Sequence, residues 1–181
     1  MDEMVKAAMA KWPNVPHCYG WLGLDGRGQW WMRDERVQAA GPFAGEGASA
    51  ASRGVRLEHE KLVAFIERNY DHDTQGCWYF QNGPQRVYVE LELTPWVWRL
   101  EPSGQMMSHT GLSVDVVRWC VDEFGHLLGE SAQGCGVLHS MDVARWADQY
   151  AQQTLQEVGF TDWVKQQVFC QSPAKTRGKQ K

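Results

Sequence analysis

Asp73-Thr-Gln-Gly76-Cys-Trp-Tyr-Phe80, a turn at Asn82-Gly83-Pro84, Arg86-Val-Tyr-Val-Glu-Leu-Glu-Leu93, the break Thr94-Pro95, Trp96-Val-Trp-Arg-Leu100 and a closing Glu101-Pro-Ser-Gly104 form the stretch from which the fold is read. It opens and closes on one device: an acid, two variable residues and a glycine. The device recurs at Asp25-Gly-Arg-Gly28 and at Asp122-Glu-Phe-Gly125. Aspartate suits the first position of a type I turn because its carboxylate accepts a nearby backbone N–H. Glycine at the fourth position takes the left-handed conformation of a bulge, which restores the twist the strands need. In the copy at Glu101, Pro102 supplies the φ that the second turn position wants. Val87, Val89, Leu91 and Leu93 alternate with Arg86, Tyr88, Glu90 and Glu92, as in a half-buried strand with one polar face. Thr94-Pro95 ends that strand, since proline cannot donate to a ladder. The repetition is one of structure and does not require common ancestry.

Working outward, Met1 to Asn14 is an amphipathic arm with a short helix from Asp2 to Lys11. His17 to Leu24 pairs with Gln29 to Arg33 across the Asp25 turn. Residues 41–54, rich in Gly, Ala and Ser, read as a flexible loop. Leu62, Phe65, Ile66 and Tyr70 recur at helical spacing within 57–70, predicting an amphipathic helix that needs a sheet to cover. After the opening stretch, further hairpins are expected through Gln105 to His109, Val114 to Val121 and His126 to Glu130, with a strand from Gly136 to His139. Ser140 suits the N-cap of a second helix over 141–156, and Gly159 its C-terminal cap. A short amphipathic piece follows at Asp162 to Phe169. The fold class expected is α+β: antiparallel, hairpin-rich sheets with two main packing helices, 57–70 and 141–156. The expected halves are 15–94 and 95–170, as two domains or as parts of one, followed by a disordered basic tail over 171–181.

Composition narrows the function. The chain has 181 residues, 43% of them hydrophobic and 22% charged, as in an ordinary globular protein. Ten tryptophans are the outlier, and partly buried rings often line contact surfaces. A net charge of −4 opposes a nucleic-acid footprint, which needs a basic patch. No apolar run approaches the roughly 18 residues of a membrane helix. The start, Met-Asp-Glu-Met-Val-Lys, lacks the features of a secretory signal. Five cysteines without a C-x-x-C pair read as reduced thiols. A cytoplasmic location is therefore expected.

Trp21-x-x-Leu24-Asp25-x-x-Gly28-x-Trp30, the helix Leu62 to Tyr70, Asp73-x-x-Gly76-x-Trp78, Arg86-Val-Tyr-Val-Glu90 and Thr94-Pro95-Trp96 follow one another in an order that resembles a bacterial family of unknown function. Members of that family are two-part α+β proteins built from repeated motifs, and a role in signal transduction has been suggested for them. A sister family, equally uncharacterised, is an alternative, with Asn82-Gly-Pro-Gln-Arg86 as its distinctive run. The resemblance spans roughly residues 20–130 and implies a fold and a signalling link. It carries over no catalytic residue.

Cys135-x-x-x-His139, His17-Cys18 and Asp71-His72-Asp73 do not repeat at the spacing of a structural zinc site, so no metal is expected. The glycine-rich runs at Gly23 to Gly28 and Gly134 to Gly136 lie between strands, with no helix to meet a phosphate, and no cofactor is expected. Glu90 and Glu92 share a strand face with Arg86 and Tyr88, which suits either acid–base chemistry or a solvated charged face. Trp96-x-Trp98-Arg99 sets rings beside a cation. A groove bordered by Arg86, Tyr88, Glu90, Trp96, Trp98 and Arg99 is the candidate ligand site. The function expected is a non-catalytic ligand-sensing or protein-interaction module, its partner a small molecule or a protein. A small enzyme using Glu90 and Glu92 and a structural subunit of a complex are the alternatives. Oligomeric state is left open.

Overall fold

Each acid-x-x-Gly site folds into the same turn. The N–H of the acid donates to the carbonyl of the residue after the glycine: Asp25 to Gln29 at 3.0 Å, Asp73 to Cys77 at 3.1 Å, Glu101 to Gln105 at 2.9 Å and Asp122 to His126 at 3.1 Å. Gly28, Gly76, Gly104 and Gly125 have φ of 76, 74, 85 and 82°, the left-handed region where a Cβ is penalised. In the three aspartate copies, Oδ1 accepts the N–H of Gln29, Cys77 or His126 at 2.8, 2.9 and 2.8 Å. In the glutamate copy, Ser103 Oγ accepts from Gln105 N–H instead, at 3.4 Å.

The computed structural model describes residues 1–178. Among these residues the chain forms two six-stranded sheets and seven α-helices, so the α+β expectation holds. It divides into two units. Unit 1 comprises Met1–Asp25, Gln29–Glu92 and the described residues from Phe169 onward; unit 2 comprises Gly26–Gly28 and Leu93–Val168.

In unit 1, β1 (Cys18–Leu24) and β2 (Trp30–Met32) form a hairpin, edged by β3 (Val55–Arg56). A meander of β4 (Tyr70–His72), β5 (Trp78–Asn82) and β6 (Gln85–Leu91) follows. β6 returns parallel to β1, giving the order β3-β2-β1-β6-β5-β4. In unit 2, β7 (Trp96–Leu100) and β8 (Met106–Ser108) form the hairpin. β9 (Val116–Asp122), β10 (Leu127–Ser131) and β11 (Gly134–Leu138) form the meander, and β11 lies parallel to β7. β12 (Gln156–Val158) adds in parallel beside β9. Without β3 and β12, one topology occurs twice: a hairpin, then a meander whose last strand lies parallel to the hairpin's first. Asp25 and Glu101 turn the two hairpins, and Asp73 and Asp122 turn the first corner of the two meanders.

The parallel pairs depart from the antiparallel sheets expected, because residue alternation does not distinguish the two kinds of ladder. The helices also differ in extent. α1 (Glu3–Lys11) matches the predicted arm. The helix expected over 57–70 is α4 (Glu60–Arg68): His59 Nδ1 accepts the Leu62 N–H as its cap, and Tyr70 is drawn into β4. The helix expected over 141–156 is shorter still. His139, not Ser140, caps a 3-10 turn at Ser140–Asp142, and α5 (Val143–Gln149) ends before 156–158 joins the sheet. Gly159 precedes α6 (Phe160–Gln166) in an extended conformation and does not cap a helix C-terminus.

The loop at 41–54 is built, where a flexible linker was expected. α2 (Glu35–Ala39) leads into it, and α3 (Ala50–Arg53) closes it with a Ser49–Ser52 capping box. Phe43 and Ser52 are buried. The tail is built too: α7 (Pro173–Gly178) replaces the disorder expected from 171, and residues 179–181 lie outside the described residues.

Each sheet has its own apolar core. Leu22, Leu24, Trp30, Ile66, Val89 and Leu91 are buried in unit 1, and Val97, Trp98, Leu100, Trp119, Leu128 and Val137 in unit 2. In unit 2 the Trp98 ring lies directly over Gly136, where a Cβ would stand 2.2 Å from Cε2. Gly136→Ala is therefore expected to destabilise the protein by about 3 kcal/mol through overpacking. Gly125→Ala meets nothing within 4 Å and is expected to cost about 1 kcal/mol, the left-handed backbone penalty alone. Urea unfolding of the two variants measures the difference.

Candidate functional site

Strand β6 has two faces. Val87 and Val89 point to the side covered by α4, while Arg86, Tyr88 and Glu90 point to the other. On the α4 side, Trp21, Leu22, Met32, Leu62 and Phe65 line a half-open cavity of about 230 Å³ whose lining includes one polar side chain, Asn82. Trp21 and Met32 at this cavity are 39% and 48% exposed, unusual for rings and thioethers set beside a core.

The opposite face is polar and largely covered. Tyr88 stacks on Tyr19 at 4.5 Å between centroids and meets Tyr79 edge-on at 5.7 Å. Its hydroxyl donates to Asp73 Oδ2 at 3.0 Å. Burial, with Asp73 adding to it, pushes the Tyr88 hydroxyl up to about 12. The Arg86 guanidinium lies 4.3 Å from the centroid of the Tyr79 ring. Glu90, 5% exposed, accepts from Ser172 Oγ at 2.5 Å and from Ala174 N–H at 3.1 Å. Burial raises the Glu90 pKa, opposed by those two donors and by Arg33.

Two arginines organise the rest of this face. Arg33, at 3% exposure, donates to three carbonyls: Nε to Ser52 at 2.8 Å, Nη1 to Gly20 at 3.1 Å and Nη2 to Gly41 at 2.7 Å. A planar fork is needed to address three directions at once. Arg53 holds Glu92 with two bonds, at 2.7 and 3.1 Å, and reaches Asp25 Oδ2 at 3.3 Å. Its guanidinium also lies over the Trp31 and Phe43 rings, and the Glu92 contact raises its pKa.

The six residues expected around one groove divide between the units. Arg86, Tyr88 and Glu90 share the polar face of unit 1. Trp96, Trp98 and Arg99 belong to unit 2, where Trp98 is fully buried and Trp96 is 6% exposed, their rings stacked at 5.9 Å. Trp96 Nε1 donates to the Gln133 carbonyl at 2.9 Å. Arg99 points to the other side of β7 and donates to Asp142 Oδ2 at 2.6 Å. Burial works to raise the Asp142 pKa, but Arg99 and the Leu100 N–H hold it below the ordinary value. Among the described residues, no group of three or more His, Cys, Asp or Glu is placed to hold a metal. No helix among them is long and apolar enough to cross a membrane.

Several residues of this region escaped the sequence. Arg33, Arg53 and Ser172 lie far from β6 along the chain, and only folding brings them to it. Ser172-Pro173 did carry a local signal, a capping residue followed by proline at the first helical position. The apolar cavity left no signal, since its lining reads as ordinary core.

These features define a two-unit α+β protein with a repeated hairpin-and-meander topology and a covered polar sheet face. A family model named DUF2944, described as "Protein of unknown function (DUF2946)", matches residues 1–179, and the chain belongs to that family. The uncharacterised family expected from the sequence is thus found. No curated protein matches the chain. Two crystal structures resemble it at 12% identity: a DUF1285 family protein from Silicibacter pomeroyi DSS-3, with a TM-score of 0.47 over 82% of this chain and 84% of that one, and a DUF1285 family protein from Shewanella baltica OS155, with 0.46 over 72% and 92%.

Arg33→Lys leaves buried carbonyls without donors and is expected to cost about 3 kcal/mol in urea unfolding. Glu90 gives a pH signature. Its folded pKa lies above its ordinary value of 4.5, so the native state binds the extra proton. The stability this proton confers is full below that value and is lost as pH rises through the folded pKa. Glu90→Gln is therefore expected to gain stability relative to the wild type as pH rises above 4.5, measured by urea midpoints over a pH series.

Proposed function

We infer that the protein is a non-catalytic binding module whose unit 1 takes a small apolar ligand on the α4 side of its sheet. The observation that carries this is the cavity beside Leu62 and Phe65, with Trp21 and Met32 partly exposed at it. Ligand pockets combine apolar walls with few polar groups that fix orientation, and Asn82 supplies such a group here. A compound with one hydrogen-bonding end and an aliphatic or aromatic body fits that lining. The signalling link implied by the family resemblance suits a sensor of this kind, with ligand occupancy as its input.

The enzymatic alternative has less support. Glu90 is taken up by Ser172 and Ala174, and Glu92 by both arms of Arg53. A general base needs an oxygen within reach of the substrate proton, and these donors compete with a substrate for the carboxylate oxygens. The tryptophan pair of unit 2 serves its core, which moves the ligand site from the groove expected at Trp96 and Trp98 to the cavity of unit 1.

Anilinonaphthalene sulfonate fluorescence tests the proposal. The dye is expected to bind wild-type protein at one site, and Met32→Glu, at a half-exposed position, is expected to weaken binding at least tenfold without shifting the urea midpoint. Equal dye affinity in the two proteins would remove the cavity as the site.

A further inference from the structure

The C-terminal segment crosses the polar face of unit 1 as a strap. Cys170 N–H donates to the Gly76 carbonyl at 3.0 Å, and Leu91 N–H to the Gln171 carbonyl at 2.8 Å. Ser172 and Ala174 then hold Glu90. Within this lattice Cys77 and Cys170 stand opposite one another as bridge partners on parallel backbones. Neighbouring strands lie about 4.8 Å apart, inside the span of roughly 4.4 to 6.8 Å between Cα atoms that a disulfide bridges. Cys77 clusters with Tyr79 and Tyr88, and Cys170 and Tyr19 pack against that cluster.

The two thiols are not equivalent. Cys77 is 6% exposed and Cys170 is more open. Cys170 Sγ lies 3.0 Å from Thr176 Oγ1. The Cys77 thiol, the Thr176 hydroxyl and the Ser172 backbone N–H all favour a thiolate at Cys170 and lower its pKa, while the same pairing and burial raise that of Cys77. Asp73 and Glu90 are the nearby acids acting on the pair. The buried thiols of unit 2 contrast with this: burial pushes Cys120 up to about 11 and Cys135 up to about 12.

We propose that Cys77 and Cys170 form a reversible disulfide that latches the strap of residues 169–178 onto the polar face, with small disulfides of the oxidised-glutathione class as the oxidant. The Cys170 thiolate attacks one sulfur of the small disulfide, forming a mixed disulfide and expelling one thiolate. Cys77, losing its proton, attacks Cys170 Sγ, closes the Cys77–Cys170 bond and expels the second thiolate. Two protein thiols are oxidised, one small disulfide is reduced to two thiols, and the two protons pass to the leaving groups. In the dithiol state noncovalent contacts hold the strap over Glu90 and Tyr88, the Arg177 guanidinium 4.7 Å from the Tyr19 ring centroid among them; in the disulfide state it is tied covalently. Transient disulfides of this kind are the usual sort in a reducing compartment.

The test uses the full chain, reduced and then exposed to oxidised glutathione. Mass spectrometry is expected to show wild-type protein losing two hydrogens, with a proteolytic peptide pair joining Cys77 to Cys170. Cys77→Ser is expected to keep one glutathione on Cys170, and Cys170→Ser to form neither product. Amide exchange at Leu91 and Ala174, whose N–H groups fasten the strap, is expected to slow at least tenfold on oxidation and to recover with reductant. The proposal is overturned if wild-type Cys170 retains glutathione without closing the bond, if the joined peptides carry other cysteines, or if the two amides exchange equally in both states. The wild-type measurements decide the matter even if a serine variant fails to fold.

Discussion

An aspartate carboxylate that accepts the N–H of the residue four ahead is the interaction on which both sheets depend. It satisfies a donor that the hairpin would leave unpaired and holds the following glycine-linked strand in register. Its second oxygen is then free to reach across the sheet. At Asp25 this oxygen takes Trp31 Nε1 and Arg53, at Asp73 it takes the Tyr88 hydroxyl, and at Asp122 it takes the His126 ring at 2.8 Å. One carboxylate therefore closes a turn and ties that turn to side chains of its sheet. Glutamate at 101 lacks this geometry, and a serine takes over the amide. The same device at equivalent corners explains how two units of different sequence share one strand order.

Unit 1 separates two chemistries on the faces of a single sheet. The α4 face is apolar and keeps a cavity. The other buries Arg33, Glu90 and Asp25 almost entirely. Buried charge is tolerated only where hydrogen bonds replace water. Arg33 meets that demand with three carbonyls, which organises the 41–54 segment, and Glu90 meets it with the Ser172 hydroxyl and the Ala174 amide, which anchors the C-terminal strap. Segments that composition marks as loose are thus ordered by the polar groups they cover.

Much of the fold was legible residue by residue. The turn at Asp73 and the alternation from Arg86 to Leu93 predict β5 and β6, and the spacing of Leu62, Phe65 and Ile66 predicts α4. The candidate site was legible only in part. Alternation set Arg86, Tyr88 and Glu90 on one face, but it gave no sign that the chain from 170 would cover them. It also set Trp96 and Trp98 on one side of their strand without telling whether that side met solvent or the Gly136 backbone. The helix starts differ from those expected where His59 and His139 act as caps, a role that histidine seldom signals.

The sequence by itself determined the turns, the strand faces and the α+β class, because each follows from φ preferences and side-chain period over a few neighbours. Only the tertiary structure decided that β1 and β6, and β7 and β11, run parallel. It alone brought Cys77 beside Cys170, Arg33 beneath Gly41 and Ser52, and Glu90 to the strap. Those pairings join residues far apart in the chain, and they are chosen by which buried polar groups must find partners, a demand that no local pattern records.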